Sequence, residues 1–134
     1  MFSCFGRSKP KFNKVTSKFE EVCRKIFEKH YRAKFPSVRP DWLKNQKSGC
    51  NLELDGYNKK LKIAFEANGI QHYEYNSHFH SCYDDYTDQV YRDKLKAKLC
   101  KKKGIHLIVI PYYITNGSKD YRKTIKKYIL SHLP

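Results

Sequence analysis

Two acidic side chains and an imidazole carry the chemistry that this sequence could perform. Asp55 closes the run Asn51-Leu52-Glu53-Leu54-Asp55, Glu66 follows in Ile63-Ala64-Phe65-Glu66, and the pair Gln71-His72 comes a few residues later. Asn51, Glu53 and Asp55 alternate with Leu52 and Leu54, the period of a half-buried strand. Gly56-Tyr57-Asn58-Lys59-Lys60 has the composition of a turn. Leu61, Ile63 and Phe65 then form the next apolar row, with Lys62, Ala64 and Glu66 on the opposite face. A hairpin built this way places Asp55 beside Glu66 at one end of a sheet. Two carboxylates at close quarters repel unless a cation lies between them, and a divalent metal is the usual solution. The expected chemistry is Mg²⁺ binding and cleavage of nucleic acid.

The elements that must position these groups follow from hydrophobic spacing. Thr16 or Ser17 should cap a helix running to about Lys34, with Phe19, Cys23, Ile26, Phe27 and His30 as its buried stripe. Glu20 falls at the edge of that stripe and Glu21 points away from it. Glu20 has two readings: a group reaching the sheet, or a first-turn acid favoured by the helix dipole. A Pro-punctuated connector, Phe35 to Leu43, leads into the Asn51 strand, and a short third strand is expected around Gln71–Tyr75. Asp84 to Lys103 predicts a long helix, acidic at its start, basic at its end and stopped by Gly104. One of its apolar stripes holds Tyr86, Val90, Ala97 and Cys100 with Asp93 in their midst; the other holds Tyr91, Leu95 and Leu99. Asp93 is either a structurally paired acid or a member of the site. Ile105-His106-Leu107-Ile108-Val109-Ile110 predicts a strand buried on both faces, hence central. A last helix, Lys119 to Leu133, should cover the Leu95/Leu99 stripe with Tyr121, Ile125, Tyr128 and Ile129.

Size and charge narrow the class. The 134 residues suffice for one domain: a flexible basic arm over 1–15, with or without a role in phosphate contact, and a folded unit over 16–134. Lys plus Arg number 28 against 13 acids, a formal charge of +15, which fits a phosphate backbone as partner. The eleven tyrosines serve either packing or base stacking. The five cysteines are scattered and make no CxxC pair, which argues against a zinc ribbon. His72, His78, His80 and Cys82 match no common zinc spacing. With no signal peptide and no run of membrane-spanning length, the expectation is an intracellular protein with reduced thiols and no membrane contact.

The order of elements, together with LELDGYN, IAFEANGIQHY and YRDKLKAKLCKKKGIHLIVIPY, resembles the restriction-endonuclease-like or PD-(D/E)XK nuclease superfamily. Within it the likeness is to the branch around very-short-patch-repair and homing-type endonucleases, which includes small proteins of phages and large DNA viruses. The likeness spans about residues 17–113. It implies an α/β fold with an αβββαβ core, a mixed central sheet flanked by helices, and here an added C-terminal helix. It also implies a Mg²⁺-dependent DNA endonuclease, with Mn²⁺ able to substitute, acting as a monomer or homodimer on plain, structured or mismatched DNA. Carried over by position, the family's helix Glu, strand Asp, His and following-helix Asp fall on Glu20, Asp55, His72 and Asp93, while Glu66 and Gln71 match polar positions flanking the same pocket. With Glu66 added, the expected catalytic set is Glu20, Asp55, Glu66, His72 and Asp93, and the expected metal ligands are Asp55, Glu66 and Glu20. Asn68, Gln71, Arg92, Lys96, Lys101 and Lys102 are the expected phosphate or DNA contacts. The chain departs from the superfamily at Asn68, where a lysine is usual. Either His72, Gln71 or Lys96 replaces that lysine, or the protein binds nucleic acid without cutting it. Pro40-Asp41 also fits the literal motif string, but it lies in the connector and not on the strand beside Glu66.

Overall fold

The computed structural model describes residues 17–69 and 83–134. Helix α1 (Lys18–Tyr31) starts where Ser17 Oγ accepts the Glu20 amide at 3.1 Å. It ends at Arg32, which adopts a left-handed φ of 52° and returns its N–H to Glu28 O. The buried side of α1 is Val22, Cys23 and Phe27. His30, expected in that stripe, is exposed, and Val22 takes the extra inward position.

A two-stranded ribbon pairs β1 (Lys44–Asn45) with β2 (Cys50–Asn51). The pairing path continues through reciprocal Val38–Leu54 backbone bonds. The main sheet has the order β3-β4-β5, formed by Gly56–Asn58, Ile63–Asn68 and His106–Pro111. β3 and β4 are antiparallel, with Gly56 opposite Phe65 and Asn58 opposite Ile63. β4 and β5 are parallel, from Ile63 opposite His106 to Asn68 opposite Pro111. Parallel neighbours need a crossover, and helix α2 (Tyr83–Lys102) lies on it. A 3₁₀ turn (Tyr112–Thr115) and helix α3 (Tyr121–Ser131, capped by Asp120) finish the chain.

The strands sort their side chains by alternation. Ile63, Phe65, Ile108 and Ile110 face α1 and α3, where Phe27 stacks on Phe65 at 4.7 Å and Ile125 and Ile129 are buried. Ala64 and Leu107 face the other way, toward Leu95, Leu99 and Cys100 of α2 and toward Leu43, Leu52 and Leu54. The described residues thus form an α/β arrangement with helices on both sides of a small mixed sheet.

Four expectations need correction. The turn predicted at Gly56–Lys60 is displaced: Gly56–Asn58 is strand and Lys59–Lys62 is the turn. Gly56 is a packing site, because a Cβ there would run into the Phe65 ring. Among the described residues the β5 strand is neither buried on both faces nor central: Ile108 and Ile110 point inward while His106 and Val109 are exposed, and β4 is the middle of the three described strands. Branched residues signalled a strand, but not its place in the sheet. α3 packs beside α1 and leaves Leu95 and Leu99 to the opposite core. The thiols are not uniformly reduced, since Cys50 is disulfide-bonded while Cys23 and Cys100 are free and buried. The strand expected around Gln71–Tyr75 lies outside the described residues. No helix among the described residues is long and apolar enough to cross a membrane.

Candidate active site

Continuing the β3–β4 register by one residue sets Asp55 against Glu66. Their carboxylates lock this end of the hairpin. The Asp55 amide donates to Glu66 Oε2 at 2.9 Å, and the Ala67 amide donates to Asp55 Oδ2 at 2.9 Å. Each acid therefore spends one oxygen holding the other's strand.

The second Glu66 oxygen accepts Lys96 Nζ at 2.8 Å. This ammonium comes from α2, across the sheet face shared by Ala64 and Glu66. The pair is well hidden, with side-chain exposures of 12% for Lys96 and 5% for Glu66. Burial pushes the Glu66 carboxyl up to about 7; Lys96 opposes that rise, and the charge of Asp55 adds to it. Desolvation of a carboxylate outweighs even a close ion pair here.

Arg24 holds the other side of Asp55. Its guanidinium donates to Glu20 Oε2 at 3.1 Å, to Ser37 Oγ at 3.1 Å and to the Asp55 carbonyl, and its Nε donates to Phe35 O at 3.0 Å. Ser37 Oγ donates to the same Asp55 carbonyl at 2.9 Å. The guanidinium carbon lies 5.7 Å from the Phe65 ring centroid. One side chain thus ties α1 and the 35–37 connector to the backbone of Asp55. Sequence reasoning missed Arg24; the available signal was its place four residues after Glu20, a helical ion-pair spacing.

Glu20 is buried, as its place on the helix wheel suggested, and its Oε2 serves Arg24. Burial pushes the Cys23 thiol up to about 12, with Asp55 and Glu20 adding to the rise. Both carboxylates therefore lie within electrostatic reach of one sulfur.

Asn68 is two residues beyond Glu66 on the same face of β4 and is 5% exposed. Its Oδ1 has no hydrogen-bond partner among the described residues. Asp93 lies three residues before Lys96 and accepts Gln89 Nε2 at 3.3 Å; Arg92 donates to Gln89 Oε1 at 3.2 Å. Lys101 and Lys102 are exposed on the last turn of α2. Asp41 is exposed and its Oδ1 accepts from Asn51 Nδ2 at 3.1 Å, apart from the Glu66 pocket.

The structure therefore gathers Asp55, Glu66 and Lys96, with Glu20 joined through Arg24. Gln71 and His72, and the His78, His80 and Cys82 that were weighed for zinc, lie outside the described residues. Among the described residues no group of three or more His, Cys, Asp or Glu is placed to hold a metal ion. Asp55 and Glu66 are two carboxylates, a number that suits Mg²⁺, which keeps several waters and takes one or two protein carboxylates beside substrate phosphates.

No protein-family model matches the chain, and no solved structure matches it. The chain is 41% identical over 98 residues to "Uncharacterized protein 033L" of Invertebrate iridescent virus 3, which covers 73% of this chain and 50% of that protein. It is 35% identical over 113 residues to "Uncharacterized protein 307L" of Invertebrate iridescent virus 6, covering 73% of this chain and 57% of that one. The chain thus spans little more than half the length of these two relatives. With "Uncharacterized protein 094L" of Frog virus 3 the identity is 39% over 110 residues, and the match covers 81% of this chain and 71% of that protein. The chain belongs to the same family of large-DNA-virus proteins as 094L of Frog virus 3.

Proposed function

We propose that this protein is a Mg²⁺-dependent DNA endonuclease with a restriction-endonuclease-like core. The observation that carries the reading is the Asp55–Glu66 pair, interlocked across two strands with a lysine ammonium on the second acid. The donors suit a hard cation: both are oxygen groups, and the unpartnered Asn68 Oδ1 lies on the same strand face as Glu66. Burial raises the Glu66 carboxyl, a cost that a nearby divalent charge would offset.

Asp55 and Glu66 would hold Mg²⁺, or Mn²⁺ in its place. Such an ion would supply a water of lowered pKa and would offset charge on the phosphate. Lys96 orients the Glu66 carboxylate and offers a donor to a phosphate oxygen, the task of the lysine that Asn68 replaces. Arg24 and Ser37 fix the Asp55 backbone, and Glu20 fixes Arg24. His72 is proposed to take the proton from the attacking water or to donate to the scissile phosphate, tasks suited to a group titrating near neutrality. Asp93 is proposed to orient His72, and Gln71 to contact the phosphate. Arg92, Lys101 and Lys102 grip the backbone, so that binding falls steeply with salt.

One observation favours a second reading. Asn68 stands where the superfamily has a lysine, which fits a binding module that no longer cuts. A labelled-duplex assay separates the two. Cleavage by wild type that is lost in both Asp55→Asn and Lys96→Met, with binding retained, supports the nuclease. Salt-sensitive binding without cleavage by wild type supports the module.

A further inference from the structure

The outer face of α3 is a run of cations. Lys119, Arg122, Lys123, Lys126 and Lys127 are all exposed, and none takes part in an ion pair among the described residues. The first turn of this helix has no acid within it and the last turn has no base. That is the reverse of α1, which opens with Glu20 and Glu21 and ends with Lys29 and His30. Helix dipoles favour the α1 pattern and disfavour cations in the first turn. Like charges at spacings of three and four residues also repel along a helix. The Asp120 carboxylate at the N-cap offsets the first-turn cations, but like-charge repulsion along the rest of α3 still opposes this arrangement, and such conflicts mark surfaces kept for another use.

The position of α3 specifies that use. Ile125 and Ile129 anchor it on the sheet face that carries Phe65 and Ile108, while α2 packs by Leu95, Leu99 and Cys100 on the opposite face. The exposed α2 lysines, Lys94, Lys98, Lys101 and Lys102, therefore point away from those of α3. A helix on each side of a sheet sets the two outer surfaces about 30 Å apart. A duplex lying on α2 leaves the α3 face to solvent.

We propose that the outer face of α3 is a second nucleic-acid-binding surface, so that one molecule holds two separate duplex segments. The inference rests on the nucleic-acid part of the reading above and not on cleavage. It makes the substrate two neighbouring duplexes, or two arms of one branched molecule.

The test is sequential capture in buffer without divalent metal. An immobilised duplex is saturated with the full chain and washed, and a labelled second duplex is then offered. Wild type should capture the second duplex. A contact made through four cations should weaken about a hundredfold between 50 and 200 mM salt. The quadruple variant R122E/K123E/K126E/K127E should still bind the first duplex and lose capture of the second at least about tenfold. The quadruple alanine variant should show a smaller loss in the same direction. Unchanged capture by both variants, as bridging through a protein dimer or through α2 would give, overturns the proposal. Wild type that binds a first duplex but no second also overturns it. Wild type that binds no duplex at moderate salt removes the nucleic-acid reading itself. Circular dichroism and sedimentation of each variant confirm that fold and oligomeric state are unchanged.

Discussion

Replacing Glu66 by glutamine isolates an acid whose burial raises its pKa. Its carboxyl holds a proton up to about 7 in the native state, against an ordinary value of 4.5. That gap is worth about 3 kcal/mol. Between these pH values the native state binds more protons than the unfolded chain, so stability must fall as pH rises. The contribution is fully present below 4.5 and is gone once the pH passes the native value. Glutamine cannot ionise and resembles the protonated acid, with Lys96 still facing a neutral partner. The variant should therefore match wild type at pH 4.5 and gain on it by about 3 kcal/mol by pH 8.5. Urea denaturation followed by circular dichroism at half-unit pH steps measures the difference curve, in which the titrations of other groups cancel. Parallel curves for the two proteins would refute the claim that Glu66 is buried at electrostatic cost. Adding Mg²⁺ should stabilise wild type more at pH 8 than at pH 6, because the ion favours the ionised acid, and should do so far less in the variant.

Other parts of the site give sharper local tests. Arg24→Lys keeps the charge but cannot span Glu20, Ser37, Phe35 and Asp55 together. It should cost about 2 kcal/mol of stability and lower cleavage through kcat while leaving KM for DNA unchanged; an equal loss in KM would assign Arg24 to substrate binding. Gly56→Ala sets a methyl into the Phe65 ring and should destabilise by about 3 kcal/mol in urea titration, whereas a change under about 0.5 kcal/mol would mean the ring swings away freely. Asn68→Asp adds a carboxylate to the face that carries Glu66. The metal-free melting temperature should fall and the rise on adding Ca²⁺ should exceed that of wild type; an unchanged Ca²⁺ response would place Asn68 outside the ion's reach.

The parts of this fold that declared themselves in sequence are those set by local spacing. The buried flank of α1 held Cys23 and Phe27 as expected, and Ser17 caps it. The α2–β5 crossover followed from a helix running into a branched apolar run. Asp55 and Glu66 were legible as neighbours even though the strand between them was misplaced, because both hairpins put the same two residues at the open end. What escaped was set by tertiary packing. Gly56 looked like a turn residue, and only the Phe65 ring above it shows why a strand needs glycine there. The side of the sheet on which α3 lands is decided by which core its isoleucines fill, a choice that periodicity does not encode. Lys96 was expected as a phosphate contact able to replace the missing lysine, but not as the partner of Glu66; its reach to Glu66 depends on the crossover laying α2 over that sheet face. Arg24 was invisible for a related reason, since three of its four partners lie on a connector and a strand end far along the chain.

The measurement closest to the central claim is nicking of supercoiled plasmid across a series of divalent metals. Wild type should convert supercoiled to open-circular or linear DNA with Mg²⁺ or Mn²⁺ and not with EDTA, and Asp55→Asn should abolish this while still retaining DNA on a filter. Cleavage by Asp55→Asn at the wild-type rate would show that the acids at the open end of the β3–β4 hairpin do not hold the ion that drives the chemistry.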